Sequence, residues 1–246
     1  MPIAGPPSSR KRHALSLFDG LPRDYDRMGA VLSFGQDPRW RRALVRAIDP
    51  QPGQRVLDVA TGTGLVAAAL ARRGRCEVVA LDQSEAMLAG ARARLRNDPG
   101  LATQISLLRA EAELLPFADA EFDAVTFTYL LRYVEDRGAT MGELARVLKP
   151  GGRIGMVEFG VPSAAPLRAL WRAHTRLGLP LLGRLLSPAW LEVGHFLGPS
   201  IEELHAVEGD LVGLWEAAGI RDVSLRAMSF GAGLVMLGVR DGERAQ

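Results

Sequence analysis

The sequence predicts an α/β fold: a mostly parallel, seven-stranded sheet with helices on both faces and an antiparallel hairpin at one edge. Three observations predict it. Short apolar runs recur at residues 55–60, 76–82, 104–110, 122–129 and 153–159, separated by stretches of helical period. A glycine-rich turn, DVATGTG (58–64), joins the first of these runs to a helix former. Two final runs, IRDVSLRAM and GLVMLGVR, are joined by residues 229–233, the short connection of a hairpin.

Each element has a local reason. Residues 1–14 (MPIAGPPSSRKRHA) carry too little hydrophobicity to order themselves and read as a flexible tail. From Leu15 to about Ile48 the pattern is helical, with a break expected before Pro38 and an end at Pro50 and Pro52. RVLDVA (55–60) is the first strand, LVAAALARR (65–73) a strong helix former and CEVVALD (76–82) the second strand. Ser84 is placed to cap a helix reaching Arg96, with Glu85 and Met87 in its first turn. QISLLRA, FDAVTFTY, a helix ending near Leu148 and RIGMVEF continue the alternation. An Arg- and Leu-rich insertion from about Pro166 to Ser200 and a helix to Ala218 precede the hairpin.

Composition narrows the function classes. The lone Cys76 excludes an internal disulfide framework and a multi-cysteine zinc site, and four scattered histidines offer no local ligand pair, so no metal is expected. No apolar run reaches the roughly 18 residues of a membrane span, and the N-terminus lacks a signal-peptide hydrophobic segment. The expected location is cytoplasmic, with peripheral contact at the membrane face left open. The net charge of +2 hides an uneven distribution: 9 basic against 5 acidic residues in 1–50 and 5 against 2 in 151–200, around a near-neutral middle. Aromatics are only 6% and no continuous basic stripe is present, which argues against a nucleic-acid partner.

The glycine turn points to a nucleotide-like cofactor. Gly62, Gly64 and Ala67 satisfy G-x-G-x-x-A, and Asp82, at the end of the second strand, is placed to hydrogen-bond ribose hydroxyls. That pattern suits NAD and S-adenosylmethionine equally. Asp58 separates them, because a carboxylate there repels a pyrophosphate but receives the ammonium of a methionine moiety.

EAELLPF (111–117), FDAVTFTYLLRY (122–133) and LARVLKPGGRI (144–154) follow in the order and spacing of class I S-adenosylmethionine-dependent methyltransferases, a Rossmann-like fold. More specifically, the chain resembles the ubiquinone/menaquinone biosynthesis C-methyltransferases, which methylate a ring carbon of a polyprenylated quinol. The resemblance rests on LFDGLPRDYDRMGAVLSFGQDPRWRRALV (17–45), TFTYLLRYVED (126–136), VEFGVP (157–162), LPLLGRLLS (179–187) and HFLGPSI (195–201). It implies one methyltransferase domain over 15–246, with an N-terminal helical cap (15–50) and a helical insertion (163–200) over the active site. It also implies Thr63 beside the methionine portion, Asp82 on the ribose, Glu111 and Ala112 near adenine, and Thr128 near the cofactor. Arg132 matches a family arginine taken to act in catalysis, and Tyr25, Tyr133 and Phe196 are candidates for the substrate site. The chain departs from the family pattern at Leu130, Tyr133, Gly194 with His195, and Glu111.

The chemistry this implies is methylation of demethylmenaquinol to menaquinol. The quinol attacks best once a phenolic hydroxyl ionises, and a fixed cation in a dry pocket favours that anion. Arg132 suits the electrostatic role, although a salt bridge to Glu135 or Asp136 is an equally simple use of it. His195 is the conventional candidate base. In the insertion, Leu167, Leu170, Trp171, His174 and Leu177 share one helical side and Arg168, Arg172 and Arg176 another. That amphipathic pattern suits a lid or an anionic membrane surface. Another aromatic or lipid-like acceptor, or a cofactor-binding scaffold without catalysis, remains an alternative, and the oligomeric state stays open, a homodimer included.

Overall fold

In the computed structural model, residues 25–207 and 210–242 are described; the expected tail, 1–14, lies outside the described residues. Five strands run parallel: β1 (Arg55–Val59), β2 (Glu77–Asp82), β3 (Ile105–Arg109), β4 (Phe122–Thr128) and β5 (Leu148–Phe159). The hairpin strands β6 (Ile220–Met228) and β7 (Gly233–Arg240) complete a seven-stranded sheet of order β3-β2-β1-β4-β5-β7-β6. β7 is antiparallel to β5, and β6 forms the outer edge against β7. The expected fold and edge hairpin are therefore present. β5 begins earlier than the expected 153–159, because Leu148 already pairs with Phe122 before a register shift at the Lys-Pro-Gly-Gly segment.

Strand alternation builds two cores. In β1, Val56 faces a layer with Trp40, Leu44, Ile48, Ala67 and Leu70, whereas Leu57 and Val59 face Leu144, Leu204 and Trp215. Both faces are apolar because helices cover both. α1 (Tyr25–Leu32) and α2 (Gln36–Ile48) precede the sheet, and α2 buries Trp40, Leu44, Val45 and Ile48, the stripe that helical periodicity dictates. The break between them falls before Pro38, at Ser33–Gly35, where Phe34 (φ 51°) and Gly35 (φ 73°) turn left-handed. Pro38 lies inside the first turn of α2, where a missing N–H leaves no helical bond unmade.

α3 (Leu65–Gly74) follows the glycine turn, and α4 (Glu85–Arg96) starts as expected: Ser84 Oγ accepts from the Met87 N–H at 3.3 Å. α5 (Pro99–Ala102) is a single turn, and α6 (Arg137–Val147) is capped by Asp136. After β5 come α7 (Ala165–Ala173), a π-helical turn (His174–Gly178), α8 (Leu179–Leu186) and α9 (Pro188–Val207), then α10 (Leu211–Ala217). α9 continues past Ser200 despite Pro199 in its interior. α8 and α9 touch backbone to backbone: a Cβ on Gly194 would lie 2.8 Å from Leu179 carbonyl atoms. Glycine at 194 is thus a packing requirement of this hairpin.

Candidate active site

The sheet order reverses between β1 and β4, and in such folds the crevice beyond the strand ends at that point takes the ligand. Here the crevice is a cleft lined by the glycine turn (Ala60–Thr63), Asp82, Met87, Ala112, Glu113, Thr128 and Tyr129. Gly62 (φ 58°) and Gly64 (φ 78°) hold left-handed turns that favour glycine, and nothing lies within 4 Å of where a Cβ would sit on Gly62. Asp82 closes the turn, its carboxylate accepting from the Gly62 and Ser84 N–H groups at 2.8 Å each. Burial pushes its pKa up against those bonds.

Asp58 lies beneath the turn rather than in the cleft wall. It is 1% exposed, and its two oxygens accept from Thr61 Oγ1 (2.6 Å) and Thr126 Oγ1 (2.7 Å). Burial raises its pKa to about 6 in spite of these hydroxyls. The position deduced for an ammonium partner is therefore occupied by a structural carboxylate. A carboxylate missed from sequence takes the exposed position: Asp26 of α1 lines the cleft, accepts from Thr63 Oγ1 at 2.5 Å and pairs with Arg94.

The charge of the wall discriminates between cofactors. Asp26, Asp82 and Glu113 stand against one arginine, Arg41. Such a wall opposes a pyrophosphate and suits a ligand bearing a sulfonium, an ammonium and a ribose diol, so the residues fit S-adenosylmethionine and not NAD. Asp82 retains lone pairs for hydroxyl donors, Thr63 borders the turn, and Ala112 with Glu113 forms the far wall. Glu111 lies outside this lining; it bridges to Leu114, and its neighbour Glu113 faces the cleft instead.

A second cavity of about 770 Å³ adjoins the cleft, with a wall that includes Trp40, Phe159, Leu167, Trp171, Leu179, Trp190 and Ile201. That size and apolar character are ordinary for a small-molecule site. Asp26, Arg41, Leu65, Tyr129 and Tyr133 line both spaces and so form their common wall.

Arg132 reaches this cavity from a position 3% exposed. Its Nε donates to Glu158 Oε1 at 3.0 Å and its Nη1 to Ser200 Oγ at 3.1 Å, while its guanidinium lies 5.0 Å from the Tyr133 ring and 5.2 Å from Phe159. Of the expected alternative partners, Asp136 is taken up as the cap of α6, and the backbone N–H of Glu135 donates to Glu113. Tyr133 stacks on Phe196 (5.7 Å), and burial raises its phenol pKa, so it stays neutral. Thr128, 7% exposed, accepts from Arg41 Nη1 at 3.2 Å.

His195 is not brought to the site. It lies exposed on α9, whose Val193 and Leu197 face the cavity along with Trp190 and Ile201. Helical pitch directs residue 195 away from them. The side chain of Tyr25 lies outside the described residues. Sequence reading also missed Asp37, Arg41, Tyr129 and Glu158 as individuals, although they fall within stretches already singled out (17–45, 126–136 and 157–162).

Fold and cleft together define a class I S-adenosylmethionine-dependent methyltransferase. Solved structures agree on the fold: an S-adenosylmethionine-dependent methyltransferase from Aquifex aeolicus superposes with a TM-score of 0.56 at 20% identity, covering 81% of this chain and 88% of that one. The Haemonchus contortus phosphoethanolamine N-methyltransferase 2, solved with S-adenosylmethionine, gives 0.57 at 15% identity over 82% of this chain and 52% of its own. The chain belongs to the ubiE/COQ5 methyltransferase family, whose model matches residues 8–240. It is 38% identical to the ubiquinone/menaquinone biosynthesis C-methyltransferase UbiE of Desulfotalea psychrophila, over 91% of this chain and 89% of that protein. It is 37% identical to the demethylmenaquinone methyltransferase of Clavibacter sepedonicus, over 96% and 94%.

Proposed function

We propose that this protein transfers the methyl group of S-adenosylmethionine to a ring carbon of a reduced, prenylated quinol, converting demethylmenaquinol to menaquinol. The observation that carries the reading is the common wall between an acid-lined cleft and a 770 Å³ apolar cavity. The names of the relatives point the same way. The cofactor supplies an electrophilic methyl group. The chain supplies the rest: Asp82 holds the ribose, Thr63 and Asp26 border the methionine portion, and Ala112 with Thr128 completes the cleft. Tyr133, backed by Phe196, forms the ring wall, and the caged Arg132 keeps that wall rigid and electropositive. Orientation is the main contribution such a site makes to an in-line displacement.

Membrane contact belongs to the same proposal in altered form. No helix among the described residues is long and apolar enough to cross a membrane. Three arginines of the insertion have internal partners: Arg172 and Arg176 both pair with Glu202, and Arg168 Nη1 donates to Ser163 O at 3.0 Å. The insertion's apolar side divides: Trp171 is buried, while Leu170 (69% exposed) and Leu177 (65%) face outward with Leu181, Leu182 and Leu185. A lipid surface is thus met by a leucine ridge, beside a cavity mouth bordered by Phe34 and Phe230.

The decisive experiment is incubation with labelled S-adenosylmethionine and a short-chain demethylmenaquinol under reducing conditions. Label on the ring carbon is expected. Absence of ring methylation, with turnover on another phenolic acceptor, would replace the substrate assignment.

A further inference from the structure

Resting on the quinol reading, we infer that Asp37 is the group that accepts the ring-hydroxyl proton during methyl transfer. Asp37 belongs to α2, is 7% exposed and lines the apolar cavity. Its carboxylate is held in place from two sides. Tyr129 donates its hydroxyl to Oδ1, and Arg41 Nε lies 2.8 Å from Oδ1 and 2.9 Å from Oδ2. Tyr129 and Arg41 are two of the five residues common to cleft and cavity, so Asp37 is one hydrogen bond from the place where the two ligands meet.

The setting is one of backbone strain and dryness. Tyr129 adopts φ 60°, a left-handed conformation costly for an aromatic residue, and its ring stacks on Phe159 at 4.4 Å. Its phenol is held protonated by burial and by Asp37, so it acts as a fixed donor. The charged and titratable groups around Asp37 are Arg39 and Arg41 on its own helix, Tyr129 after β4, Arg132, Tyr133 and Glu158 about the Tyr129 ring, Asp26 on α1 and His174 across the cavity. Among the described residues the cavity wall carries two carboxylates, Asp37 and Asp26. The two oxygens of Asp26 are taken up by Thr63 and Arg94.

The proton balance is simple. As the ring carbon bonds to the methyl carbon and the sulfur–carbon pair leaves with sulfur, the hydroxyl O–H breaks and its proton passes to Asp37. The methylated carbon then loses its own proton to water, and Asp37 returns the first to the oxygen. The net products are methylated quinol, the thioether and one proton.

The test compares wild type with Asp37→Asn and Asp37→Glu, each checked for unchanged melting and S-adenosylhomocysteine affinity. With demethylmenaquinol, Asp37→Asn is expected to lower kcat by about 100-fold or more, with little change in KM, and to be partly rescued by glutamate. A second readout is independent of turnover: at saturating S-adenosylhomocysteine, wild type is expected to bind 1-naphthol about tenfold tighter than its methyl ether, and Asp37→Asn to lose most of that ratio. A kcat of Asp37→Asn within about threefold of wild type overturns the assignment. If wild type methylates no quinol, the substrate reading fails, and the naphthol ratio still decides whether Asp37 meets a ring hydroxyl.

Discussion

Thr63 in the glycine turn donates its hydroxyl to Asp26 of α1 at 2.5 Å, which ties the N-terminal helix to the cofactor cleft. Arg94 strengthens the tie, giving Nη2 to Asp26 and Nε to the Thr63 carbonyl (2.9 Å). Removing one partner exposes the cleft without touching the sheet. Asp26→Ala is expected to weaken S-adenosylhomocysteine binding by about tenfold, the size of one charge-assisted hydrogen bond. Isothermal titration of both proteins measures it.

Asp58 should give the fold a pH dependence. Burial raises its folded pKa to about 6, above the ordinary aspartate value of 3.8, so the folded state holds a proton more tightly than the unfolded chain. The corresponding stability is full below the unfolded pKa and is lost as pH rises through the folded value; at 1.36 kcal/mol per pKa unit it amounts to about 3 kcal/mol. Asp82 adds to the same trend. Wild-type melting temperature is expected to fall between pH 4 and 7, and Asp58→Asn to flatten that slope in differential scanning calorimetry.

The Arg132–Glu158 pair is buried on both sides, with side chains 2% and 1% exposed. Glu158→Leu leaves a buried guanidinium without its carboxylate, a change expected to cost about 3–5 kcal/mol in urea unfolding. The double variant Arg132→Met/Glu158→Leu should recover much of that stability while losing quinol methylation. The divergence of the two readouts separates packing from function.

Liposome flotation separates the leucine ridge from the arginines. Leu181→Ser/Leu185→Ser is expected to abolish binding to anionic vesicles, because each exposed leucine contributes about 1.5–3 kcal/mol when buried in lipid. Replacing Arg168, Arg172 and Arg176 with Gln should have the smaller effect, since Arg172 and Arg176 already share Glu202 and Arg168 is bonded to backbone carbonyls.

Much of the architecture is written locally. Short apolar runs, the DVATGTG turn and the Ser84 cap fix the order of the strands and helices, because each depends on neighbours within a few positions. The cofactor class and family were legible for the same reason: Gly62, Gly64 and Asp82 act through backbone shape and strand ends. What sequence could not set is which side chains converge. Asp58 reads as a ligand-facing carboxylate until Thr61 and Thr126 enclose it, and His195 reads as a base until the pitch of α9 points it outward. Asp37, Arg41 and Tyr129 lie up to 92 positions apart and meet only because α2 packs beside the end of β4. Long-range juxtaposition depends on helix packing and a strained turn, neither of which leaves a signature in residue order.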